Sequence, residues 1–163
     1  MKILILYDSL YGNTRDIAEA IGKGLGANHD IRMLRAQDAI TEDIGGIDLF
    51  LVGSPTHGGW FTEPIKTFVA NLPEGSLEGT CVVSFDTSTL TDNKGFVVGA
   101  LSRLFGNAAP RISGELKKKG ADCVGSEIFY VAGKQGPLYR GEYERARVWG
   151  GKLAKQVLKK QSI

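Results

Sequence analysis

Five apolar runs, most of them followed by a stretch in which hydrophobic residues return at helical spacing, limit what this chain can fold into. Residues 3–7, Ile-Leu-Ile-Leu-Tyr, are continuously apolar, as expected of a strand covered on both faces. Ile17, Ala18, Ile21 and Leu25 then form a helical stripe that ends near Gly24 and Gly26. "DIRML" at 30–34 reads as a short second strand nearer an edge, and "IDLFLVGS" at 47–54 as a buried third. Ile65, Phe68, Val69 and Leu72 line one side of the next helix, with Pro64 in its first turn and Pro73 at its end. "TCVVSFD" at 80–86 is the fourth strand, followed by a stripe of Val97, Leu101, Leu104 and Phe105. After a break at Gly106, a further helix is predicted from 108–110 to Gly120. "EIFYV" at 127–131 is the fifth strand, and Ala146, Trp149, Leu153 and Val157 mark the last helix. This alternation predicts one doubly wound α/β domain over 1–163, a parallel sheet with helices on both faces. A ligand is then expected at the carboxyl ends of the strands, where the strand order reverses.

Composition narrows the function classes. With 42% hydrophobic and 23% charged residues the chain reads as an ordinary soluble globular protein, long enough at 163 residues to bury a core without staples. Its formal charge of +2 is too weak to argue for nucleic acid or membrane as a partner, and no run reaches the length of a membrane span. Lysines at 117–119 and 159–160 fall where helices are expected to end, where cations complement the helix dipole. Cys81 and Cys123 make no CxxC pair and sit beside β-branched apolar residues, so reduced thiols and a cytoplasmic setting are expected. The opening "MKILILY" is too short for a signal peptide.

Three segments at the same predicted edge carry more than connection requires: "DSLYGNT" (8–14), "SPTHGGWFTEP" (54–64) and "DTSTLTDNKG" (86–95). In the first, amides at the start of a helix face outward, where unsatisfied N–H groups and the dipole attract an anion. Ser9 and Thr14 add hydroxyl donors, Gly12 allows close backbone approach, and Asn13 tolerates unusual dihedrals. The loop lacks the lysine of a GxxxxGK[ST] motif and is not GxGxxG, which disfavours a nucleoside triphosphate with magnesium and an NAD-type fold.

"SLYGNT" after a first strand resembles the phosphate loop of the flavodoxin family, and the resemblance extends over the β/α order of the whole chain. It implies a flavodoxin-like sheet of order 2-1-3-4-5 and FMN as cofactor, with Ser9, Leu10, Tyr11, Gly12, Asn13 and Thr14 around its phosphate. Pro55, Thr56, His57, Gly58, Gly59 and Trp60 would then serve the isoalloxazine ring, Trp60 stacking on its face with Phe61 or Tyr11 as substitutes. In the family a peptide of this loop turns its carbonyl toward the ring as the flavin is reduced, a movement that Gly58 and Gly59 permit. His57 is a candidate for tuning charge or relaying protons. The third segment departs from the family, with Asp86, Thr87, Ser88, Thr89, Leu90 and Thr91 where an aromatic and glycines are usual. Asp86, Thr87 and Ser88 would complete the cofactor site, where Thr87 and Ser88 could bond the pyrimidine edge or the ribityl hydroxyls, leaving Tyr11, Leu90 or Tyr139 to cover the second face.

The resemblance implies a one-electron carrier between redox proteins, a monomer or weak homodimer. The alternative is an FMN-dependent NAD(P)H:quinone oxidoreductase, since the tyrosine in the first loop and "GSPTHGG" are also similar to loops of flavodoxin-like quinone oxidoreductases. A phospho-acceptor module of the same topology is disfavoured. Asp8 and Lys134 superficially fit one, but Ser54 replaces the aspartate it needs after strand three. Flavodoxins are typically acidic, so this slightly basic chain is expected to have a less negative potential for the last one-electron step.

Overall fold

The computed structural model describes residues 1–89 and 106–162. Leu90, Thr91 and the stripe Val97, Leu101, Leu104 and Phe105 lie outside them. Strands β1 (Lys2–Tyr7), β2 (Asp30–Arg35), β3 (Leu49–Pro55), β4 (Cys81–Thr89) and β5 (Asp122–Val131) form one parallel sheet in the order β2-β1-β3-β4-β5. The helices among the described residues are α1 (Asn13–Leu25), α2 (Glu63–Asn71), α3 (Ala108–Lys118) and α4 (Glu142–Gln161). Two short 3-10 turns, Ala36–Asp38 and Thr41–Ile44, follow β2.

Alternation along the strands divides the core between the two faces of the sheet. Ile3 and Ile5 of β1, with Leu49, Leu51, Val83, Phe85 and Phe129, meet Ile17 and Ile21 of α1 and Leu153 and Val157 of α4. Leu4 and Leu6, with Phe50, Val52 and Val82, meet Ile65 and Phe68 of α2 and Ile112 and Leu116 of α3. This explains why the central strands read as continuous apolar runs: neither face is left to water. β2 lies at one edge and is only partly buried, as its mixed sequence implied.

Two strands run longer than predicted. β4 continues through Thr87, Ser88 and Thr89, expected as loop, because their backbones pair with β3 at Pro55 and with β5 up to Val131. β5 starts at Asp122, five residues before its apolar run, on the half-exposed second edge. The lysine-rich helix ends are also placed as expected. Lys119, just past α3, donates to the Leu72 carbonyl (2.6 Å) at the end of α2.

Candidate functional site

The strand order turns back between β1 and β3, and a cavity of about 390 Å³ opens at their carboxyl ends. The β1–α1 loop builds its floor. Gly12, at φ +91°, precedes α1 in the left-handed region that a side chain would strain. Ser9 Oγ accepts from the amides of Gly12 (3.1 Å) and Arg15 (3.4 Å), which leaves its hydroxyl hydrogen to point elsewhere. Asn13 and Thr14 open the helix, so their amides have no intrahelical acceptor and face its mouth. Beneath the loop, buried Asp8 is held by Arg35, whose Nε lies 3.3 Å from the carboxylate and whose guanidinium also donates to the Ser9 carbonyl (3.0 Å).

Thr14 and Thr87 bridge the first and third segments through their hydroxyls, 2.8 Å apart and buried. The second segment joins them through Thr56, whose amide donates to the Thr87 carbonyl (3.0 Å). His57 and Trp60 exchange both backbone hydrogen bonds (2.9 Å each) around Gly58 and Gly59, at φ +55° and +77°. Both central residues thus carry the positive φ of a two-residue hairpin turn, which explains the adjacent glycines.

The expected site residues separate into two groups. Ser9, Leu10, Tyr11, Asn13, Thr14, Pro55, Thr56, His57, Gly58 and Thr87 line the cavity, with Leu10 and Tyr11 exposed at its rim. Gly12, Gly59, Trp60, Asp86 and Ser88 do not line it. Trp60 instead stacks on Phe61 (ring centroids 5.3 Å apart, 23° between planes) and lies 4.2 Å from the Arg111 guanidinium. Asp86 is fully buried and turns toward the start of α3, accepting from the Ala109 amide (2.9 Å) and the Ser88 hydroxyl (2.8 Å). Thr56 accepts from the Ala108 amide (3.0 Å) and bonds the same carboxylate. Burial pushes the Asp86 carboxyl up to about 6, and the neighbouring Glu127 adds to the rise while these hydrogen bonds oppose it. Ser54 is likewise a structural group: its hydroxyl receives the Thr62 amide (3.0 Å) and donates to the Pro55 carbonyl (2.9 Å).

Sequence reasoning missed the fourth wall, Val131 to Lys134, together with Thr89. The available signal was positional, since these residues follow β5 at the same carboxyl edge. Tyr139, considered as a cover for the ring, is half-exposed and does not line the cavity.

Known proteins share this fold. The flavodoxin from Aquifex aeolicus is 29% identical over 92 residues, covering 53% of this chain and 50% of that protein, so the chain spans about half the length of this relative. Oxidised Flavodoxin 1 from Bacillus cereus superposes with a TM-score of 0.75 at 16% identity over 95% of this chain and 98% of that one. A flavodoxin, WrbA-like protein from Agrobacterium tumefaciens does so with 0.64 at 18% identity, over 97% and 98%. The family model for flavodoxin matches residues 5–149, and with that match across most of its length the chain belongs to the flavodoxin family, whose proteins bind FMN as their cofactor.

Proposed function

We propose that the cavity holds FMN and that the protein is a one-electron carrier between redox proteins. The observation that carries this reading is the mouth of α1, where the Asn13 and Thr14 amides and the Ser9 and Thr14 hydroxyls converge. The donor set suits a phosphate ester: uncharged hydrogens and the positive end of a helix dipole receive a dianion. The cavity volume lies within the range of small-molecule sites, and the exposed Tyr11 and Leu10 supply an apolar rim for a flat ring. When bound, FMN supplies the redox chemistry. The chain's part is to seat it. Thr14 is held by Thr87, so the phosphate end is braced against β4, while the Gly58–Gly59 turn leaves the ring end free to adjust its carbonyls.

The quinone oxidoreductase reading stays in view because Tyr11 in the first loop and "GSPTHGG" resemble loops of flavodoxin-like quinone oxidoreductases. Addition of FMN to the purified protein, followed by anaerobic titration, separates the two. A carrier binds FMN and accepts electrons from dithionite in two resolved one-electron steps, with NADH and NADPH ineffective alone. Rapid bleaching by a nicotinamide, reversed by quinone, would replace the carrier with the reductase. Absence of binding in excess FMN would remove both. Thr14→Val is expected to weaken FMN by about tenfold, the loss of one hydrogen bond to a charged group, while riboflavin binding holds.

A further inference from the structure

The neutral cradle at α1 faces a cation that neither the motif nor the family match assigns. Among the described residues lining the cavity, Lys134 is the only lysine or arginine, and no aspartate or glutamate lines it. Lys134 is exposed and forms no ion pair with any described carboxylate.

Its position is set by a braced turn. The Gly136 amide donates to the Gly133 carbonyl (2.9 Å) and the Ala132 amide to the Pro137 carbonyl (2.8 Å), closing the segment after β5 on itself. That turn is pressed against the first residue of α1: Asn13 Nδ2 donates to the Gln135 carbonyl (3.2 Å), and a Cβ on Gly136 would lie 2.5 Å from the Asn13 side chain. Lys134 therefore leaves the backbone one residue from a contact with the helix mouth, on the cavity wall.

We propose that the Lys134 ammonium is the counter-ion of the FMN phosphate, a mobile point charge added from the β5–α4 segment to a cradle otherwise built of amides and hydroxyls. The inference rests on the FMN reading above and deepens it. The amides fix the orientation of the phosphate, so the added group needs no planar fork; a flexible ammonium that follows the anion suffices. The contact strengthens binding of the phosphorylated cofactor over riboflavin, and salt screens it.

The test is calorimetry of FMN and of riboflavin with the wild type, Lys134→Met and Lys134→Arg, at low and high ionic strength. Lys134→Met is expected to weaken FMN by about tenfold and leave riboflavin unchanged. Lys134→Arg should stay near the wild type, and the gap between wild type and Lys134→Met should narrow in high salt. Because Lys134 is exposed, thermal melting of the three proteins should coincide. Equal loss of FMN and riboflavin, or no loss of FMN, overturns the counter-ion while the cofactor stands. A wild type that binds no FMN overturns the cofactor and the counter-ion together.

Discussion

Asp86 sits where three segments meet, and its cost to the fold depends on pH. The carboxyl is buried and shifted up to about 6, above its ordinary value of 3.8. Between those values the folded chain holds a proton that the unfolded chain has released, so stability falls as pH rises through this window and stays lower above it. Asp86→Asn keeps an acceptor for the Ala109 amide and removes the charge. Urea unfolding should show the variant gaining on the wild type from pH 4 to pH 7, by on the order of 2–3 kcal/mol; parallel pH profiles would show that Asp86 is not the group responsible. The sequence reading placed Asp86 in the cofactor site, and the reason is physical. A carboxylate at the end of a strand looks the same whether it faces a ligand or a helix that begins 22 residues later. The Arg111 neighbour of Trp60 was equally hidden, because it is distant in sequence and no local pattern announces their contact. The Ser9 contacts are of the kind a sequence announces, local amides at a helix start, whereas the pairing of Thr14 with Thr87, 73 residues away, is not.

At the scale of elements, α1 and α4 approach each other most closely where two glycines meet backbone. A Cβ on Gly150 would lie 2.3 Å from the Ile21 carbonyl oxygen, and one on Gly24 would lie 1.9 Å from that of Arg147. Backbone cannot yield as the end of a side chain can, so Gly150→Ala must force the helices apart, at about 1–3 kcal/mol, against a propensity gain of about 1 kcal/mol. Gly114 in α3 is the matched control, exposed and with nothing within 4 Å of its would-be Cβ. Gly114→Ala should stabilise by about 0.5–1 kcal/mol where Gly150→Ala destabilises, as urea unfolding of both would register; the same sign for the two would refute packing as the cause. The sequence shows both glycines as helix weaknesses and cannot tell which is a contact. It resolved β1, β3 and the apolar part of β4 because burial on both faces leaves an unbroken hydrophobic run. It lost the start of β5 and the end of β4, where strand pairing is carried by the backbones of polar residues and glycine.

Charge acts over the whole molecule, and its sign bears on the potential expected of bound FMN. The chain carries a formal +2, no aspartate or glutamate among the described residues lines the cavity, and Lys134 does. At an effective dielectric near 20, one charge about 10 Å away changes the energy of adding an electron by about 1.7 kcal/mol, which is about 70 mV for a one-electron couple. Acidic flavodoxins surround the ring with repulsive charges, whereas the described residues of this chain place none on the cavity wall, so the second one-electron potential should be less negative than theirs by tens of millivolts or more. Salt separates this effect from ring contacts. Added ions screen distant charges over about 10 Å or less and leave stacking and hydrogen bonds nearly unchanged, so the gap to an acidic relative should shrink as ionic strength rises. Potentiometric titration of the FMN-loaded protein beside a strongly acidic flavodoxin, at low and high salt, measures both quantities. A second potential as low as that of the acidic protein would mean that ring contacts, rather than surface charge, control the final electron.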